Sequence, residues 1–285
     1  MSDEPTAVDA LGAIGHEARL SILRALVEVR RTTDDPFVRF TDLRDRAGID
    51  DTGRFNYHLN RLLGTFVRKT EEGYRLSAFG HRILAPMMGG IFDPERDAEP
   101  IDAPGECPLC AGSLTIRPRD TTFQLVCEDD HVVNQGLLGY PGVLSDRDPD
   151  AVVTALGLLN TQGIELAVAG TCPTCHGSVS GAIDEHDETE AYLFRAPCDT
   201  CGNQFANTVG GCVSTHPAVV SFLADHGVDV RRTPPWAHPF QHAGAETVVS
   251  ENPLQLRVDV DGDDERLSVI VDRSGSVVSS ERTSI

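Results

Sequence analysis

All eight cysteines of the chain fall between positions 107 and 212, and their spacing says what chemistry they can do. Cys172-Pro173-Thr174-Cys175 and Cys198-Asp199-Thr200-Cys201-Gly202 are two C-x2-C knuckles separated by 22 residues. Four thiolates in that pattern form a tetrahedral set of soft ligands suited to zinc. A set that fills all four positions with protein ligands is structural, not catalytic. A third knuckle, Cys107-Pro108-Leu109-Cys110, has no C-x2-C partner, but Cys127 and His131 follow it at zinc-ligand spacing and complete a Cys3His set. The alternative for this stretch is a ribbon that has lost its metal. Paired C-x2-C spacing argues for zinc over disulfides. Cys212 stands outside both sets and is expected as a small buried residue.

Other polar groupings carry less. His238 and His242 have H-x3-H spacing, but Pro234, Pro235, Trp236 and Pro239 surround them. Proline breaks the helix that would bring both rings to one face, so a loop packed around Trp236 is expected. Asp259 to Asp264 has a calcium-loop flavour without the EF-hand spacing, and an acidic turn accounts for it. No H-E-x-x-H, G-x-S-x-G or P-loop motif occurs and both zinc sets are closed, so no catalytic role is expected.

Strands and turns must position these ligands. Thr115 with Phe123, Leu125 and Val126 suggests two strands in a first ribbon, 107–131, and 191–194 suggests a strand in a second, 172–201. Ribbons this small have little apolar core and rely on metal to fold. Val152, Val153, Leu156 and Leu159 predict a helix over 150–161, and Val219, Val220, Phe222 and Leu223 predict one over 215–226. Two ribbon-plus-helix halves thus read as a weak internal repeat. Alternation over 258–260, 267–271 and 277–278 predicts a three-strand antiparallel meander. Residues 93–106, with Pro94, Pro100, Pro104 and several acids, read as a linker to a C-terminal domain spanning 107–285.

The first 92 residues lack cysteine and have a different logic. Leu11, Ile14, Ala18, Ile22, Ala25, Leu26 and Val29 make an amphipathic stripe over one helix, 8–30. Thr41 is a plausible cap for a short helix to Ala47, Gly48-Ile49 makes a tight turn, and Asp51 or Thr52 caps a third helix to Leu63, stopped by Gly64. Two short helices about a glycine turn make a helix-turn-helix. Residues 66–69 and 74–76 follow as a two-stranded wing, and Ser77 caps a helix to Met88 with Phe79, Ile83 and Leu84 facing in. The expected fold class is therefore α+β: a winged helix-turn-helix over 1–92, then a zinc-ribbon-containing α+β region. The outward side chains Thr52, Arg54, Asn56, Tyr57 and Arg61 suit base edges or phosphates in a major groove. His58 is a further candidate that could instead pack between helices, and Arg68, Lys69 and Arg75 on the wing suit the DNA backbone or the minor groove.

The segment LGAIGHEARLSILRAL, followed by FNYHLNRLLGTFVRKTEEGYRLSAFG, resembles the ArsR-like winged helix-turn-helix repressors, particularly archaeal versions, over about residues 8–90. Asn56-Tyr57-His58-Leu59 stands where that family has its S-x-H-L pattern. The metal-sensing members carry a cysteine pair on the preceding helix, whereas here that stretch is Thr41-Asp42-Leu43-Arg44-Asp45, so sensing at that position is not implied. The later stretch, with its ribbons, resembles uncharacterised C-terminal domains attached to haloarchaeal helix-turn-helix proteins. These resemblances imply a homodimeric transcription regulator that binds double-stranded DNA, with no known effector.

The formal charge of −20 looks wrong for a DNA binder until it is divided. Residues 1–92 hold 13 Arg and Lys against 13 Asp and Glu, so residues 93–285 carry the whole excess. Lys69 is the only lysine beside 23 arginines. An acidic, lysine-poor composition resembles that of salt-loving archaea, where screening tolerates the self-repulsion. No run of eighteen apolar residues occurs and MSDEPTAVDA lacks a leader's apolar core, so a cytoplasmic protein without a membrane span is expected. The competing function is an interaction protein whose ribbons bind RNA or other proteins without sequence-specific DNA recognition.

Overall fold

The computed structural model describes residues 7–92, 99–120, 122–186 and 191–285. It is a mixed α+β protein in two compact units, Met1–Gly89 and Gly90–Ile285.

Unit one contains α1 (Ala7–Ile14), α2 (Glu17–Thr32), α3 (Phe40–Arg46), α4 (Thr52–Leu62), the hairpin β1 (Val67–Lys69) and β2 (Tyr74–Leu76), and α5 (Ala78–Met88). The single helix expected over 8–30 is two. His16 breaks it with extended backbone, φ −154° and ψ 132°, and its Nδ1 accepts the Ala18 N–H at 3.1 Å. The apolar positions keep their three- and four-residue steps across this break, so periodicity cannot reveal it. α3 starts at Phe40, one residue before the expected Thr41 cap, and the residue at its cap position, Arg39, makes no side-chain cap bond. Other caps are conventional: Asp51 Oδ1 accepts from the Arg54 N–H at 2.5 Å and Ser77 Oγ from the Gly80 N–H at 2.9 Å. Gly64, at φ 87°, takes the left-handed turn that ends the α4 region.

Ile22, Leu23, Leu26, Leu43, Phe55, Leu59, Leu62, Phe66 and Leu84 form the core of this unit. Phe79 and Ile83 do not join it; they are 45% and 38% exposed. α5 instead presses its Gly80–Leu84 stripe inward, because Gly80 lies against the Phe66 backbone, where any side chain would collide.

Unit two has three antiparallel sheets. β3 (Ile101–Glu106), β4 (Ser113–Arg119), β5 (Thr122–Cys127) and β6 (Val132–Leu137) pair in sequence order. The expected linker therefore gives way at Ile101 to an edge strand, in register Ile101 with Ile116 and Ala103 with Leu114; residues 93–98 of it lie outside the described residues. An edge strand tolerates Pro104, since nothing needs its missing N–H, and the register shifts between Ala103 and Glu106. After α6 (Pro149–Val168) come β7 (Ala182–Glu185), β8 (Tyr192–Pro197) and β9 (Gln204–Thr208), again paired in order. Two short helices follow: α7 (Val209–Val213), which was not expected, and α8 (Pro217–Asp225), inside the helix expected over 215–226. His216 caps α8 as His16 caps α2, its Nδ1 accepting the Ala218 N–H at 3.3 Å.

The C-terminal sheet has four strands, not three: β10 (Glu246–Glu251), β11 (Leu254–Asp261), β12 (Glu265–Asp272) and β13 (Val277–Ser284). Its inner pairs, Leu256 with Val271, Val258 with Val269 and Val260 with Leu267, are all buried. They pack with Phe194 and with Val219 and Phe222 of α8 in one core.

α6 runs seven residues past its expected end at Thr161 and serves two cores. Val152, Val153 and Leu156 pack with the first sheet and Trp236, while Ile164 and Ala167 pack with the second sheet. Its length and composition alone would suit a membrane span, and the two cores account for its apolar faces.

Candidate metal centres and nucleic-acid interface

The turns between strands bring all eight expected ligands together in two groups: Cys107, Cys110, Cys127 and His131, and Cys172, Cys175, Cys198 and Cys201. Within each group the ligand atoms lie within 4.8 Å of one another. In the second, Cys172 Sγ is 3.8 Å from Cys201 Sγ and Cys175 Sγ 3.6 Å from Cys198 Sγ. In the first, Cys110 Sγ is 3.7 Å from Cys127 Sγ, and His131 turns Nδ1 toward Cys127 and Cys107 at 3.4 and 3.7 Å. A tetrahedron with metal–sulfur bonds of about 2.3 Å has edges of roughly 3.8 Å. Both donor sets therefore have the size of one four-coordinate metal ion.

The two leading knuckles share one backbone design. The Cys107 N–H donates to the Gly112 carbonyl at 2.9 Å, and the Cys172 N–H to the Gly177 carbonyl at 2.7 Å. The residue after each second cysteine, Ala111 or His176, sits at positive φ, 57° and 62°. Backbone N–H groups then point at sulfur: Thr174 to Cys172 and Gly177 to Cys175, both at 3.4 Å, and His131 to Cys127 at 3.3 Å. These donors favour thiolates. Burial opposes ionisation of Cys172, but the Cys175 and Thr174 N–H groups and neighbouring thiols outweigh it and bring the thiol down to about 6. Cys107 comes down to about 7 by the same contest, burial against the Leu109 and Cys110 N–H groups. The Gly177 N–H favours the Cys175 thiolate, but Cys201 and the other thiols override it and push Cys175 up to about 12. Hydrogen bonding and burial thus favour the thiolate at Cys107, Cys172 and Cys198 and oppose it at Cys110 and Cys175, and a bound cation would favour it throughout.

Cys212 takes no part. It is buried in the core with the second sheet, burial pushes its thiol up to about 12, and its Sγ faces the Thr208 carbonyl. The His238–His242 pair also stays outside both groups: His242 Nε2 lies 3.1 Å from the Trp236 carbonyl, and His238 is buried.

In unit one, α4 divides cleanly. Phe55, Leu59 and Leu62 are enclosed, while Thr52, Arg54, Asn56, Tyr57 and Arg61 are exposed. Arg61 lies over the Tyr57 ring at 5.6 Å. Thr52 is partly engaged, because Arg44 at the end of α3 donates to its Oγ1 at 3.0 Å. Arg44 was not among the expected candidates, and its guanidinium is paired with the carboxylate of the adjacent Asp45 at 2.7 Å. His58 departs from the expected contact set: it is only 6% exposed and packs against His16 instead of facing outward. Arg68 and Lys69 of β1 are exposed. Arg75 is half-buried over Phe37, at 5.6 Å, and offers less of its charge.

Residues 104–277 match the family model described as Domain of unknown function (DUF7351), and residues 7–87 match one described as Domain of unknown function (DUF7347). No curated protein and no solved structure matches the chain.

Proposed function

We propose that this chain, which belongs to the DUF7351 family through residues 104–277, is a DNA-binding transcription regulator whose second unit is held together by two structural zinc ions. The observation that carries the reading is the division of α4. Its apolar side is locked into a core, and its exposed side chains include Arg54, Tyr57 and Arg61 along one stripe, at i, i+3 and i+7, with Asn56 beside it. Arg and Asn are the side chains that pair bidentately with guanine and adenine in the major groove. In this reading α3 and α4 are the helix-turn-helix, α4 is its recognition helix, and the β1–β2 hairpin is the wing, with Arg68 and Lys69 toward phosphates. The ArsR-like resemblance of the sequence agrees with that arrangement.

Zinc is the ion best suited to these sulfur-rich tetrahedral sets. With four protein ligands each, the sets hold the fold and leave no position for a reacting water. The regulator acts as a homodimer. Leu11 on α1 and Phe79, Ile83 and Met88 on α5 are exposed, and α1 and α5 flank an apolar groove of about 1020 Å³. Closing that groove with a second copy would remove these faces from water. Footprinting on genomic fragments tests the central claim. Protected sites that vanish in an Arg54→Ala, Asn56→Ala double variant are expected. Absence of any protected site would favour the ribbons as RNA- or protein-binding modules.

A further inference from the structure

Unit two contains two adjoining cavities along α6, of about 290 and 390 Å³. They share the lining residues Thr161, Ser214, Pro235 and Gln241, so they lie side by side as two separate lobes. The smaller lobe is chemically pointed. Leu158, Val220, Leu223 and Val230 give it an apolar wall. Glu165 and Arg231 also line it, and both are exposed. Neither forms an ion pair with another described residue. His238 completes it: the side chain is 7% exposed and its Nε2 has no hydrogen-bond partner. Burial, and then His242, hold His238 below the usual histidine range, so its ring brings no charge to the lobe.

One negative charge, one positive charge, a neutral imidazole and an apolar wall define a ligand. We propose that this lobe binds a free α-amino acid with an aliphatic or aromatic side chain, its carboxylate on Arg231, its ammonium on Glu165 and its side chain against Leu158, Val220, Leu223 and Val230. The volume lies at the small end for ligand cavities, which excludes nucleotides and lipids, and a lone arginine is too little cation for a polyphosphate. The position of Arg231 is unusual in itself, because residues 93–285 hold only 11 arginines against 31 acids. As an input signal the amino acid rests on the regulator reading above; as a ligand it does not.

Trp236, the only tryptophan of the chain, lines the larger lobe and reports occupancy through its emission. The zinc-loaded full chain is titrated with L-leucine and with L-phenylalanine, by calorimetry and by fluorescence. Saturable heat with a Trp236 emission change is expected for at least one of them. Leucinamide and 4-methylpentanoate, each lacking one charge of leucine, should bind at least about tenfold more weakly, as should the wild-type ligand to Arg231→Met and Glu165→Gln. Both substituted side chains are exposed, so these variants keep the fold. No saturable heat with either amino acid at millimolar concentration, or unchanged affinity in both variants, overturns the proposal. A mobility-shift assay on the same preparations separates the two readings: amino-acid binding without DNA binding leaves this site standing and removes the regulator.

Discussion

The imidazole rings of His16 and His58 pack 4.2 Å apart, tilted by 40°, and join the cap of α2 to the middle of α4. The Tyr57 ring lies 5.1 Å from His58 on the outer side, and His58 Nδ1 has no partner. Burial first, then His16, Arg19 and Arg54, hold the His58 pKa below 6.5. The unfolded chain therefore takes up a proton at higher pH than the folded one. The sign follows: stability contributed at this site is complete above about pH 6.5 and declines as pH falls toward the lower folded value. Hydrogen exchange of α2 and α4 amides, corrected for intrinsic rate, should show protection falling as pH drops below about 6.5. His58→Leu should flatten that dependence. Equal pH dependence in the variant would assign the effect to other groups.

Substitutions on α4 should separate reading of bases from holding of phosphates. Arg54→Ala or Asn56→Ala should each cost about 1–3 kcal/mol on a preferred site and relax preference at one position. Lys69→Ala should weaken all sequences alike. Because residues 1–92 carry 13 basic and 13 acidic side chains, bulk attraction to DNA is small. Preference should then persist in molar KCl, with a shallow slope of affinity against salt. Equal losses on specific and random DNA in the Arg54 variant would show that it only touches phosphate.

The ligand pattern was legible because metal chemistry is local: three C-x2-C knuckles and one Cys-x3-His pair name their own partners. α4 and its hairpin were legible because the caps at Asp51 and Ser77 and the stop at Gly64 are conventional. What escaped depends on less local causes. Histidine is an uncommon cap, so the break at His16 went unseen. β3 looked like a linker because Pro104 and its acidic neighbours are tolerated only at an edge, and edge status is a property of the sheet. β10 hid for a related reason: Glu246–Glu251 is mostly exposed and lacks a buried alternating face. The amino-acid cleft was beyond reach, since it joins α6 residues to a loop about seventy positions later.

Both leading knuckles store strain at a side-chain-bearing residue. Ala111 and His176 occupy left-handed backbone that glycine adopts more easily. Ala111→Gly and His176→Gly should each raise the thermal midpoint, because relief of about 1–2 kcal/mol of left-handed strain exceeds the entropy cost of a glycine, about 0.5–1 kcal/mol. The next residue behaves in the opposite way. A Cβ at Gly177 would stand 2.8 Å from Thr200 Oγ1 and 3.3 Å from Cys175 Sγ, so Gly177→Ala must push on a ligand. It should speed zinc loss to a chromogenic chelator. Unchanged midpoints in both glycine variants would mean that the turns are relaxed as they stand.

Metal removal tests the assignment of the clusters to structure. The purified chain should hold two zinc ions by elemental analysis, and Cys198→Ser or Cys127→Ser should each leave one. Cys172 and Cys198 belong to the same core as Ile183, Phe194 and Val269, so losing the second ion should disturb the C-terminal sheet as well as its own ribbon. Structural zinc contributes folding free energy of roughly 10 kcal/mol or more in small ribbons, far above the stability such a sheet has alone. Chelation should accordingly abolish the chemical-shift dispersion of residues 172–271 while the helices of unit one keep theirs. Acid should act in the same direction, because protons compete with the metal for every sulfur and for His131. If a chelator instead released the protein from DNA while unit two stayed folded, the ions would be a regulatory signal and the closed, structural reading of both sets would fail.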